Sequence, residues 1–191
     1  MKTLAEAFSR LLEVLDLLEA DYLVGGSVAS SVHGISRPTM DADLVINLNT
    51  ERIDEFVSLL GSDFYADAGM LRESWAAGRP ANVIHYATSY KFDLFPLQGD
   101  AYSQAEFARR RFVETRSFGE PLECCVATAE DTILRKLLWY RKGGESSERQ
   151  WNDIRGVMRL KGPALDLTYL RTWAPELGVL DLLRRLLIEA G

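Results

Sequence analysis

Asp41 and Asp43 stand one residue apart in the run Asp41-Ala42-Asp43-Leu44-Val45-Ile46, and a third carboxylate sits within Lys91-Phe92-Asp93-Leu94-Phe95. Residues i and i+2 of a strand project from the same face, so the first two carboxylates can lie side by side. Asp93 completes the group if its own strand pairs next to theirs. Three carboxylates on one point repel unless a cation lies between them. A hard divalent ion with oxygen ligands, Mg²⁺ above all, suits such a site and commonly brings the phosphates of a nucleotide with it. Asp43 and Asp93 each sit in an otherwise apolar run, where an unpaired charge is costly, and this weighs against surface or capping roles.

The elements that must position these acids are legible around them. Leu4, Ala7, Phe8, Leu11, Leu12, Leu15 and Leu18 recur at helical spacing, which predicts an amphipathic helix over about 3–20. Tyr22-Leu23-Val24 reads as a short strand ending at Gly25-Gly26, with Ser27 expected to cap a helix over 28–33 and Gly34 to end it. Arg37-Pro38-Thr39 biases the chain to extended backbone on entry to the Asp41 strand. A helix is expected over 51–60, a further one near 71–77, and a hairpin over 82–97 that carries Asp93. More β-like runs fill 112–126, and helices are expected near 129–141, 147–160, 166–173 and 177–190. The predicted fold is a mixed α/β (α+β) sheet flanked by helices over residues 1–126, followed by a helical C-terminal region over 127–191.

The spacing Gly25-Gly26-Ser27, then Asp41-Ala42-Asp43, then Asp93 resembles the polymerase-β-like nucleotidyltransferase superfamily. The stretch from Gly25 to Gly34 and from Arg37 to Leu44 is most similar to its small prokaryotic branch of abortive-infection and toxin-type enzymes. Ala129-Glu130-Asp131-Thr132-Ile133-Leu134-Arg135-Lys136 and Gln150-Trp151-Asn152-Asp153-Ile154 add a weaker likeness. The resemblance implies a nucleotidyltransferase fold and transfer of a nucleoside monophosphate from an NTP such as ATP to a hydroxyl acceptor. It implies two Mg²⁺ ions, with Mn²⁺ as a substitute, held by Asp41, Asp43 and Asp93. Gly25, Gly26 and Ser27 would bind phosphate through backbone N–H groups at a helix start. Arg37 would contact phosphate or ribose, Lys136 would reach the terminal phosphates, and Asp153 would orient Lys136 or Arg135. An RNA or tRNA end, or a protein side chain, is the implied acceptor. A partner antitoxin is implied by the likeness alone.

Bulk properties fit this reading. The 191 residues are 47% hydrophobic and 26% charged, an ordinary globular composition. No apolar run approaches the roughly 20 residues of a membrane helix, and the first helix carries Glu6, Arg10, Glu13, Asp16 and Glu19, unlike a signal peptide. The expected compartment is the cytoplasm. Residues 1–100 hold 7 Lys+Arg against 15 Asp+Glu, and residues 101–191 hold 15 against 13. The basic groups at Arg109-Arg110-Arg111, Arg116, Arg135-Lys136, Arg141-Lys142 and Arg149 therefore follow the acidic site, where they could meet triphosphate or an RNA backbone, or form helix ion pairs. A pI near 5.1 argues against a dedicated high-affinity nucleic-acid binder. Cys124 and Cys125 are adjacent and read as free thiols. His33 and His85 receive no catalytic role, and Trp139, Tyr140 and Trp151 read as core between helices. The competing functions are a non-catalytic nucleotide- or partner-binding module on the same fold, and a phosphohydrolase, which the missing histidine cluster disfavours.

Overall fold

The computed structural model describes residues 3–36 and 39–190. The chain opens with helix α1 (Leu4–Leu17), whose start is fixed by a capping box: Thr3 Oγ1 accepts from the Glu6 N–H and the Glu6 carboxylate accepts from the Thr3 N–H. Its apolar face buries Phe8, which stacks on Phe118 at 4.1 Å and on Phe92 at 5.8 Å between ring centroids. A fully buried phenylalanine stabilises the fold by about 2–3 kcal/mol. Strand β1 (Asp21–Val24) and helix α2 (Gly26–His33) follow, then strand β2 (Asp41–Asn47) and helix α3 (Ile53–Leu60). Next come the short strand β3 (Phe64–Tyr65), helix α4 (Ala68–Ala76), strand β4 (Ala81–His85) and strand β5 (Tyr90–Pro96).

Helix α5 (Ala101–Arg109), strand β6 (Arg111–Thr115) and strand β7 (Leu122–Val126) complete the sheet region. The remainder of the described chain is helical: α6 (Ala129–Lys142), α7 (Glu148–Lys161), α8 (Leu167–Glu176) and α9 (Leu180–Ala190). The seven strands lie in the order β3-β4-β5-β2-β1-β7-β6, so the strand bearing Asp41 and Asp43 is the middle one. It pairs antiparallel with β1 and parallel with β5. The mixed α/β sheet with flanking helices agrees with the expected fold class.

Alternation along β2 decides which residues face the core. Ala42, Leu44 and Ile46 are buried at 0–1% exposure and join the main apolar cluster with Phe8, Phe56 and Phe92. Asp41, Asp43 and Val45 point to the opposite, partly covered face. Helix α2 lies on that face and packs against α6 and α7. Gly34 ends α2 as expected, and a Cβ there would stand 2.8 Å from the Ser30 carbonyl oxygen and 3.0 Å from the Val157 nitrogen. The C-terminal helices build a second apolar cluster around Leu134, Leu137, Ile154, Leu170 and Leu186.

Two elements escape the hydrophobic pattern. Strand β3 is two residues long. Helix α5 buries Ser103 and Glu106 beside Tyr102 and Phe107, so half of its inward face is polar. Its start is set instead by Asp100, which accepts from the Ser103 N–H at 2.9 Å. Tyr140 and Trp151 are core residues, each 6% exposed, but Trp139 is 48% exposed, which corrects its expected burial. Ser27 is not the cap of α2. Gly25 holds that position without a side-chain cap, and the helix begins one residue later. No helix among the described residues is long and apolar enough to cross a membrane.

Candidate active site

Parallel pairing of β2 with β5 sets Asp43 directly opposite Asp93 and Asp41 opposite Lys91. Because both strands alternate in phase, the three carboxylates share one sheet face. The turn after β1 reaches the same point. The Gly25 N–H donates to the Asp43 carbonyl oxygen at 2.9 Å, and Gly26 adopts φ +53°. A Cβ on Gly26 would stand 1.7 Å from Asp43 Oδ2 and 2.7 Å from its Cγ. Only glycine fits both the left-handed backbone and the approach of the carboxylate. Asp43 therefore lies in a cradle formed by the start of α2, with Ser27 in the first turn of that helix.

The electrostatics follow from this crowding. Asp43 is pushed up to about 6, first by burial and then by the negative charges of Asp93 and Asp41, while Lys136 and Lys91 act in the opposite sense. Lys91 Nζ pairs with Asp93 Oδ2 at 2.7 Å, and this hydrogen bond raises the lysine pKa. Thr39 Oγ1 donates to Asp41 Oδ1 at 2.8 Å. The Tyr90 hydroxyl donates to the Asp41 carbonyl oxygen at 2.8 Å. Lys136, on α6, reaches Asp153 of α7 at 2.9 Å, and both side chains are only 10% exposed. Asp153 thus holds Lys136, not Arg135, and does so inside the protein.

With the side chains in these positions, no three His, Cys, Asp or Glu groups among the described residues are gathered as a metal ion requires. Asp93 is turned to Lys91 and Asp41 to Thr39. The donor set nevertheless suits a hard cation: all-carboxylate oxygens on one face, one of them raised by burial and then by its neighbours' charge, and seated in a glycine cradle. Release of Lys91 from Asp93 is the rearrangement that coordination would need.

The other predicted positions divide. Gly25, Gly26, Ser27, Asp41, Asp43, Asp93 and Lys136 come together. Arg37 lies outside the described residues. Most of the basic groups of the second half are committed elsewhere: Arg110 to Asp21 at 2.6 Å, Arg135 to Glu106 at 2.7 Å, Arg141 to Asp181 at 2.6 Å and Arg109 to Glu130 at 3.4 Å. They serve packing between elements, not a basic surface over the acids. His33 Nε2–H donates to the Ala127 carbonyl oxygen at 2.6 Å, and burial lowers its pKa. Cys124 and Cys125 are free, and burial pushes the Cys124 thiol up to about 12. Lys91, which carries no role in the sequence expectations, meets Asp93 because Lys91-Phe92-Asp93 places a cation and an acid on one strand face.

Comparison with known proteins agrees with this fold. No family model matches the chain, and no curated relative matches it. Among solved structures, the antibiotic-resistance factor ANT(2'')-Ia in solution superposes with a TM-score of 0.52 at 16% identity, covering 95% of this chain and 96% of that one. The crystal structure of ANT(2'')-Ia in complex with adenylyl-2''-tobramycin gives a TM-score of 0.51 at 16% identity, covering 91% and 95%. The chain therefore shares the fold of ANT(2'')-Ia, in keeping with the mixed sheet and flanking helices expected from the sequence.

Proposed function

We propose that this protein is a Mg²⁺-dependent nucleotidyltransferase that moves a nucleoside monophosphate from an NTP to a hydroxyl acceptor and releases pyrophosphate. The observation that carries this reading is the β2–β5 register, which puts Asp93 opposite Asp43, two residues from Asp41, against the Gly26 cradle. Asp41, Asp43 and Asp93 would hold the metal. When bound, the ions neutralise the charge that develops on the transferred phosphoryl group. The N–H groups at the start of α2 hold phosphate oxygens, aided by the helix dipole. Lys136, kept in place by Asp153, adds a positive charge on the opposite wall. The acceptor oxygen attacks the α-phosphorus as the bond to pyrophosphate breaks, and Asp93 takes the hydroxyl proton.

The fold likeness to ANT(2'')-Ia, seen with an adenylylated antibiotic, makes a small-molecule hydroxyl a natural competitor to an RNA or tRNA end or a protein side chain as acceptor. The resemblance of the Gly-Gly-Ser and Asp-x-Asp stretch to toxin-type enzymes supports a role as the toxin of a toxin–antitoxin pair. The Lys91–Asp93 ion pair favours one second reading, a binding module in which the lysine permanently replaces a metal.

Incubation with each α-labelled NTP and Mg²⁺, with total tRNA, cell extract or neither, tests the proposal. Label in RNA or protein with wild type, and none with Asp41→Ala/Asp43→Ala, is the expected result. NTP binding without label in any acceptor supports the binding module.

A further inference from the structure

The face that carries the carboxylates continues past Asp93. Phe95 follows two residues along β5, so it projects from the same face roughly 7 Å further on. Its ring centroid lies 6.3 Å from that of Trp139 on α6, three residues beyond Lys136. Trp139 is 48% exposed, whereas Trp75 and Trp151 are 5% and 6% exposed. About half of this indole is open to solvent. The Lys142 ammonium stands over its ring at 5.0 Å, a weak contact that an arriving flat group can displace.

Sheet order fixes which substrate could use this surface. β1, with the Gly25-Gly26 turn at its end, borders β2 on one side, and β5, with Asp93 and Phe95, borders it on the other. A triphosphate at the start of α2 would lie over β2 with Lys136 of α6 at its end, and Trp139 stands one turn further along that helix, against Phe95 of β5. The aromatic pair is on the strand of Asp93, the residue proposed to take the acceptor's proton.

Building on the transferase reading, we infer that Trp139 and Phe95 form the acceptor's shelf, and that the acceptor presents a flat ring with an anionic group beside it, the chemistry of an unpaired nucleotide at a strand end. The exposed indole stacks the base, and Lys142, freed from the ring, meets the adjacent phosphate. The same lysine repels a polycation. Binding is modest and salt-dependent, because the protein as a whole is acidic.

The test uses the intact chain with two probes: an NTP, followed through its Mg²⁺-dependent melting shift, and a short unstructured RNA oligonucleotide, followed by anisotropy at low salt. Trp139→Ala is expected to weaken the oligonucleotide about ten-fold and leave the NTP shift unchanged, while Trp139→Phe stays within about three-fold of wild type. Melting without ligand controls for folding. Equal oligonucleotide binding by wild type and Trp139→Ala overturns the shelf, as does failure of wild type to bind it; in both cases a retained NTP shift leaves the transferase reading standing. Loss of the NTP shift in Trp139→Ala also overturns it, by assigning the indole to the donor's base. Absence of any NTP shift in wild type removes the transferase reading and the shelf with it.

Discussion

Two groups of buried acids lie in this molecule, and their surroundings differ. Between α5, α6 and α8, each carboxylate meets partners supplied by the fold. Glu106 takes the Arg135 guanidinium at 2.7 Å. Asp131, fully buried, accepts from Thr128 Oγ1 at 2.6 Å and from the Tyr169 hydroxyl at 2.7 Å, with Arg109 Nε at 3.5 Å. The Arg109 guanidinium also lies 3.9 Å over the Tyr169 ring. On β2 and β5 three aspartates share one face; among the described residues Lys91 pairs with Asp93 and Lys136 with Asp153. Burial pushes up both Glu106 and Asp43. The next influence on Glu106 is the opposing Arg135, but for Asp43 it is the like charge of Asp93 and then Asp41. The saturated cluster ties elements together, and the aspartate group is the one the proposed function would have filled by a cation.

The contrast is broken most severely by removing Asp43. Asp43→Asn is expected to lower nucleotidyl transfer at least 10³-fold, measured as label incorporation at saturating NTP, with the circular dichroism spectrum unchanged. Second in size is Asp131→Ala, which leaves the Thr128 and Tyr169 hydroxyls without their buried acceptor and Arg109 with Glu130 alone. It should cost about 3 kcal/mol in urea unfolding, as for other broken buried pairs. Retention of full stability would remove the distinction between the two clusters.

A pH series sharpens the comparison. A carboxyl whose folded pKa, about 6, exceeds its unfolded value of 3.8 opposes folding once ionised. Its cost is absent below about pH 4, grows through pH 6 and is complete above it. Asp43→Asn should therefore gain ~1–3 kcal/mol at pH 8 and nothing at pH 4. Mg²⁺ added to the wild type at pH 8 should give a rise in melting temperature that disappears at pH 4. The smallest effect is expected at Arg72–Asp54, an exposed 2.7 Å pair. Arg72→Ala should change the unfolding free energy by less than about 0.5 kcal/mol.

Asp41, Asp43 and Asp93 were legible because strand periodicity is local, and a carboxylate inside an apolar strand is conspicuous. The helices α1, α3, α6, α7, α8 and α9 were legible through their apolar spacing. Helix α5 was not, since Glu106 and Ser103 look solvent-facing until Arg135, 29 residues away, is brought against them. The same long-range pairing explains why the arginine-rich stretches leave phosphate contact and ion pairing both open in the sequence: sequence order hides which acid each will meet. Trp139 failed for the opposite reason. Its neighbours Leu137 and Tyr140 are core, and helical spacing alone does not say where the sheet stops covering the helix.

The parallel pairing of β2 with β5 also orders events during synthesis. All three aspartates leave the ribosome before α6, and at the usual pace of elongation Lys136 and Asp153 follow seconds later. A nascent chain that has closed β5 onto β2 holds three like charges with Lys91 as the nearest cation and the opposite wall not yet made. On the proposed metal reading, a divalent ion could shield these charges as soon as β5 pairs with β2, before Lys136 and Asp153 are made.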